Sequence, residues 1–166
     1  MTTVIATEKE MAGDSKITNM ATHFESRKIF RCKNGDILGI AGSVTDAMKF
    51  LEWYEDGADR SKDPGFDNSD FEILVIKHDG LFIFDDSLMP IRIDSGMCAI
   101  GSGKMAAMAA FYCDKTLTEC VRIASLIDDG TGGKIVSMPY DGPLPTVRRA
   151  TKKSDTTVHR KTVRKS

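Results

Sequence analysis

No stretch of this 166-residue chain holds the ~18 consecutive apolar residues that a bilayer-spanning helix needs, so no membrane span is expected. A basic segment followed by an apolar run is also missing from the N-terminus, which argues against a secretory leader and for a cytoplasmic protein. The four cysteines, Cys32, Cys98, Cys113 and Cys120, lack C-x-x-C spacing and have no histidines nearby. That disfavours a zinc site and leaves scattered buried thiols as the expectation. A surplus of charge is absent too: the formal net charge is -1, which exerts no overall pull toward nucleic acid or membrane.

What is present is the composition of one soluble globular domain, 41% hydrophobic and 28% charged, with enough length for a proper core. The charge is unevenly spread. Residues Val147 to Ser166 carry eight Lys and Arg side chains against Asp155 alone, so the remainder of the chain is acidic. We expect a folded domain over residues 1–140 and a flexible basic C-terminal tail over 141–166, because the tail lacks the apolar residues a core requires. The tail also has no interleaved aromatics to stack on bases, which makes a solvated extension the better reading and disfavours nucleic acid as a partner.

The first half of the chain reads as short extended segments broken by tight turns: Thr3 to Thr7, Met11 to Lys16 and Ile17 to Phe24. Lys28–Cys32 and Ile37–Ala41 flank an Asn34-Gly35 dipeptide, the strongest short hairpin signal. Ser43 can cap a helix in which Val44, Ala47, Met48, Leu51 and Tyr54 recur at helical spacing. Residues 57–70 have no apolar period and read as a loop. A second hairpin turns at His78-Asp79-Gly80, and extended chain follows over Ile91 to Ile100.

Ser102-Gly103 then opens a helix whose expected buried face is Met105, Ala106, Met108, Ala109 and Tyr112. Thr116 and Glu119 have capping-box spacing before a third helix, with Leu117, Cys120, Val121, Ala124 and Ile127 as its buried stripe. Lys134 to Met138 predicts a last strand. The order is that of an α+β fold with antiparallel sheets covered by helices, and it points to a layered αββα sandwich while leaving other topologies open.

Chemistry could reside at the extreme N-terminus. A threonine hydroxyl is a poor nucleophile, but the threonine's own α-amine, with a reference pKa of about 7.7–8.0, is a base matched to neutral pH. Thr2 would need no histidine if Met1 were removed. An ammonium such as that of Lys28 would favour the neutral amine, and the Asp14 carboxylate would keep that lysine charged and oriented. Singly, these residues have ordinary readings. Thr2 is a strand residue, Asp14 after Gly13 a turn residue, Lys28 a solvated strand-edge charge, Gly42 a strand-to-helix turn and Ser102 a cap.

Their joint order changes the balance. Thr2-Thr3, Ala12-Gly13-Asp14, Arg27-Lys28-Ile29, the stretch Ala41-Gly42-Ser43-Val44-Thr45-Asp46-Ala47, Ala99-Ile100-Gly101-Ser102-Gly103, and the Thr131-Gly132-Gly133 run after Asp128 follow one another over residues 2–138. In this the chain resembles the proteasome beta-type and HslV-like peptidase family, threonine proteases within the N-terminal nucleophile hydrolases. The resemblance implies the four-layer αββα fold of two antiparallel sheets. It also implies a peptidase with Thr2 as nucleophile, Asp14 and Lys28 tuning it, Gly42 as oxyanion donor, and Ser102, Asp128 and Thr131 holding the surroundings. By the same matching Thr18 would align an extended substrate and Ile40 would form part of the primary specificity pocket.

No cofactor or metal is called for. The implied partners are a peptide or unfolded protein substrate, other copies of the chain in an oligomer that could close as a ring, and an ATP-dependent unfoldase. Two departures stand out. Thr131 replaces the family's serine, which keeps the hydroxyl but restricts the rotamer. The second of the two long helices that follow the Ala-Gly-Ser turn in the family is missing, because residues 57–70 break helix. That gap motivates an alternative reading as an assembly or scaffold protein with weak or no catalysis.

Overall fold

A computed structural model describes residues 2–19, 22–68 and 70–142. The elements run β1 (Val4–Thr7), β2 (Glu10–Gly13), β3 (Lys16–Asn19), β4 (Thr22–Glu25), β5 (Ile29–Arg31), β6 (Ile37–Gly42), α1 (Val44–Glu55), β7 (Phe71–Lys77), β8 (Gly80–Phe84), β9 (Ile91–Arg92), β10 (Met97–Ile100), α2 (Lys104–Phe111), α3 (Leu117–Ile127) and β11 (Val136–Pro139). Strands β10-β1-β2-β11 form one sheet and β5-β6-β7-β8-β9 a second, while β3 and β4 pair as a separate hairpin. Every pairing is antiparallel.

The two sheets stack face to face, with α1 outside the five-stranded sheet and α2 and α3 outside the four-stranded one. This is the expected αββα sandwich. It works because central strands are apolar on both faces, and successive side chains alternate between two cores. Ile37 and Ala41 join Val4, Met11, Leu74 and Ile100 between the sheets, whereas Leu38 and Ile40 turn outward to Phe50, Phe71 and Phe84 beneath α1. A third core, Ile5, Ala12, Ala99, Ala107, Val121 and Ala124 among its members, lies under α2 and α3. Gly39 permits the closest approach of the sheets, since a Cβ there would sit 2.5 Å from Met11 Sδ and 2.8 Å from a Val4 methyl.

The local signals form as expected in most places. Ser43 caps α1, accepting from the Asp46 amide, and the Thr116–Glu119 capping box is closed in both directions. Residues 57–70 contain no helix among those described, so the outer layer over the five-stranded sheet is α1 by itself. Side chains of α1 hold this loop: Lys49 donates to the Gly65 carbonyl at 2.7 Å, and Trp53 to the Asp59 carbonyl at 3.0 Å.

Three expectations about burial are corrected. The inner face of α2 is Ala107 and Ala110, with Met105 and Tyr112 exposed, because only small residues let this helix lie close to the sheet and to α3. The buried stripe of α3 ends at Ala124. Ile127, in the last turn, is exposed. Among the thiols only Cys32 and Cys120 are buried, while Cys98 is half-buried and Cys113 is exposed. Arg31 donates to the Pro139 carbonyl at 2.7 Å and pairs with Asp141 at 3.3 Å, which ties the end of β11 to β5. The basic tail expected over 141–166 lies, beyond Gly142, outside the described residues.

Candidate active site

Asp14 follows β2, and its amide donates to the Thr3 carbonyl at 3.1 Å, continuing the β1–β2 ladder one step past the Val4–Gly13 pair. This turns its carboxylate back beneath the N-terminal residues. Oδ1 accepts from the Thr3 amide and from Lys28 Nζ, both at 2.9 Å, and Oδ2 accepts from the Gly132 amide at 2.9 Å and the Lys16 amide at 3.2 Å. Lys28 also donates to the Lys16 carbonyl at 2.5 Å.

The pair is buried, Lys28 4% exposed and Asp14 2%. Lys28 is therefore not the solvated strand-edge charge its position suggests. Burial lowers its pKa from the usual lysine range, and the Asp14 carboxylate opposes that shift without cancelling it. A buried ion pair persists only when its remaining hydrogen-bonding capacity is met, and the backbone groups of Thr3, Lys16 and Gly132 do so here.

A second polar chain reaches Thr2 from the other side. The Thr2 backbone nitrogen donates to Ser102 Oγ at 3.3 Å, and Ser102 Oγ donates to Asp128 Oδ2 at 2.7 Å. Thr131 Oγ1 donates to the same carboxylate oxygen at 2.5 Å and lies 2.6 Å from Thr3 Oγ1. Burial works against the Asp128 carboxylate, but the Thr131 and Ser102 hydroxyls outweigh it and hold the pKa below the usual aspartate range. Asp128 sits at the C-cap of α3 and Ser102 in the turn between β10 and α2, so the two helices of one layer converge on the residues just before β1.

Thr2 opens onto a cleft of about 650 Å³ whose other walls are Ala41, Gly42, Asp70, Glu72, Asp85, Gly101, Ser102, Lys104 and their neighbours. Gly42 ends β6 with φ +90°. A side chain there would run into the Asp70 carbonyl, which itself accepts from the Ser43 amide at 2.8 Å. The turn is thus glycine-dependent twice over, by conformation and by contact.

The structure joins Thr2, Ser102, Asp128 and Thr131 in one polar chain, connects Asp14 and Lys28 to it through Thr3, and places Gly42 on the cleft that Thr2 lines. Two expected substrate residues fall elsewhere. Ile40 is 3% exposed in the core under α1; strand alternation sends it away from the cleft and its neighbour Ala41 toward it, so it forms no pocket wall here. Thr18 lies on the β3–β4 hairpin, 3.3 Å from His23 Nδ1, and does not line the cleft at Thr2.

Residues overlooked in the sequence include Thr3, which joins both polar chains, together with Asp46, Glu72 and Lys104. Asp46 had a readable signal in its three-residue spacing from Ser43. It is fully buried, taking bonds from the amides of Asp67 at 2.8 Å and Asn68 at 3.1 Å and from Ser43 Oγ at 2.8 Å. Among the described residues, no group of three or more His, Cys, Asp or Glu side chains gathers in a way that could hold a metal ion.

Two stacked antiparallel sheets between helical layers, with the chain's first residues at the mouth of the sandwich, define the N-terminal nucleophile hydrolase fold. Solved structures agree. Eukaryotic HslV from Trypanosoma brucei superposes with a TM-score of 0.58 at 21% identity, covering 82% of this chain and 98% of that one. BPH from Thiobacillus denitrificans, solved in complex with epoxomicin, gives 0.63 at 15% identity, covering 85% and 99%.

Among curated proteins, the ATP-dependent protease subunit HslV of Pseudothermotoga lettingae is 32% identical over 119 aligned residues, 60% of this chain and 68% of the relative. That of Caldicellulosiruptor saccharolyticus is 28% identical over 133, covering 66% and 76%. No family model matches the chain. The chain belongs to the HslV family of proteasome beta-type peptidases.

Proposed function

We propose that this chain is a threonine-type endopeptidase acting through Thr2 after removal of Met1. The observation that carries the reading is the placement of the Thr2 backbone nitrogen within 3.3 Å of Ser102 Oγ, at the edge of a cleft shared with Gly42. Once Met1 is gone that nitrogen is a free amine. It takes the proton from Thr2 Oγ1, directly or through a water, as the oxygen attacks the scissile carbonyl. The Gly42 N–H faces the negative charge that develops on the carbonyl oxygen, a type of contact worth about 2.7–4 kcal/mol in other hydrolases.

Collapse expels the leaving amine with the proton and leaves an ester on Thr2, which water then hydrolyses. Ser102, Asp128 and Thr131 orient the amine, and Lys28, kept charged and oriented by Asp14, favours its neutral form.

The relatives' designation as ATP-dependent protease subunits supports an unfolded protein substrate, self-association and an ATP-driven partner for this chain. The loop at 57–70, where an outer helix would stand, favours the scaffold alternative as a second reading. Intact-mass measurement separates the two. A threonine-started chain that gains the mass of epoxomicin, and fails to do so as Thr2→Ala, is the peptidase outcome. Retained Met1 or an unlabelled chain overturns it. Light scattering on the same sample reports the oligomer.

A further inference from the structure

The candidate nucleophile and the candidate oxyanion donor belong to different sheets. Thr2 precedes β1 of the four-stranded sheet, whereas Gly42 ends β6 of the five-stranded one. The core between the sheets is apolar, and apolar burial has no directional preference. Close packing sets how near the sheets lie, and directional contacts at the cleft mouth add to it in aligning the two groups.

Glu72 makes such a contact. Its backbone lies opposite Ala41 in the β6–β7 ladder, one step from the Gly42–Phe71 pair. Its side chain crosses to the other sheet, where Oε2 accepts from the Gly101 amide at 3.1 Å and Oε1 from Lys104 Nζ at 3.0 Å. Gly101 is packed directly on Thr2: with φ +88°, it would collide with the Thr2 carbonyl if it bore a side chain. The next residue but one, Gly103, donates its amide to the same carbonyl at 3.4 Å. Glu72, Gly101, Lys104, Thr2 and Gly42 all line the one cleft.

We propose that Glu72 is a positioning residue for the peptidase reaction, holding the Gly101 turn that seats Thr2 against the strand that presents Gly42. The proposal rests on the peptidase reading above. The carboxylate and its lysine are 36% and 42% exposed, so the ion pair contributes little to stability. The Gly101 bond is the one that reaches the nucleophile's backbone. Losing it displaces Thr2 relative to Gly42, and a misplacement of ~1 Å at a reacting centre can cost ~10²-fold in rate.

The test uses the full chain with Met1 removed and measures the rate of epoxomicin adduct formation by intact mass at saturating and sub-saturating inhibitor. Glu72→Ala should slow the saturated rate at least ~10-fold, with the half-saturating concentration within ~2-fold and Tm within ~2 °C. Glu72→Gln, whose carbonyl oxygen still accepts from Gly101, should stay within ~3-fold of the parent. An unchanged Glu72→Ala overturns the proposal. So does Glu72→Gln as slow as Glu72→Ala, or a loss matched by a fall in Tm. A parent chain that forms no adduct sinks the peptidase reading itself, and the positioning role falls with it.

Discussion

The backbone nitrogen of Thr2 donates to the Ser102 hydroxyl at 3.3 Å, and that hydroxyl in turn donates to Asp128. The amine freed by loss of Met1 would thus be held by a group that is itself oriented by a carboxylate. Ser102→Ala removes the link and leaves Asp128 bonded to Thr131. A hydrogen bond to a charged or reacting group contributes about 1.5–3 kcal/mol, so peptidase or adduct-forming rate should fall by ~10- to 100-fold. Circular dichroism should show the fold intact.

Thr2 itself separates chemistry from structure. Thr2→Ser keeps a hydroxyl next to the amine and should retain adduct formation. Thr2→Ala keeps the strand but abolishes it. Both variants should remain folded by circular dichroism, so that the difference in labelling reports the hydroxyl.

Lys28→Met leaves the Asp14 carboxylate buried among backbone amides with its cation gone. Breaking one side of a buried pair costs about 3–5 kcal/mol, and chemical denaturation should show a loss of that size. Asp14→Asn/Lys28→Met together should cost less than Lys28→Met by itself, because no uncompensated charge remains. Additive losses would mean that the two side chains act independently.

Gly42→Ala puts a methyl into the Asp70 carbonyl at a backbone conformation with φ +90°. The strain should cost at least ~1 kcal/mol, and relief by movement of the turn should carry the Gly42 N–H away from the cleft. Adduct formation should fall more steeply than stability does, as read from matched labelling rates and urea midpoints.

Asp46 gives a pH-dependent test. The Asp67 amide, opposed by burial and aided by Ser43 and the Asn68 amide, lowers its pKa from the ordinary aspartate value. With the folded pKa depressed, its contribution is fully present above the unfolded value of about 3.9 and is lost as pH falls through the folded one. Asp46→Asn should be less stable than the parent at pH 7, and the gap should narrow as pH drops below ~4. A gap that stays constant down to the acid transition refutes the assignment.

How far the sequence reads ahead varies with the range of the interaction. The Asn34-Gly35 hairpin, the Ser43 cap and the Thr116–Glu119 box are signals contained within a few residues, and each forms where expected. The face of α2 is different. Its pattern of Met105, Ala109 and Tyr112 is as helical as that of Ala107 and Ala110, and only the closeness of the sheet and α3 selects the latter pair. Ile40 shows the same limit, for an apolar residue on a strand buried on both faces can belong to either core, and the stacking of the second sheet decides which.

The Asn34-Gly35 turn and the capped starts of α1 and α3 were determined by the sequence alone, because backbone preference and capping act over one to four residues, whereas the split of Ile17 to Phe24 into the β3–β4 hairpin was not. Tertiary structure decided that Lys28 is buried against Asp14, that Thr2 meets Ser102 across a hundred residues of chain, and that Glu72 spans the two sheets to Gly101. A side chain's charge, exposure and partner depend on what the fold packs around it. No local pattern carries that information.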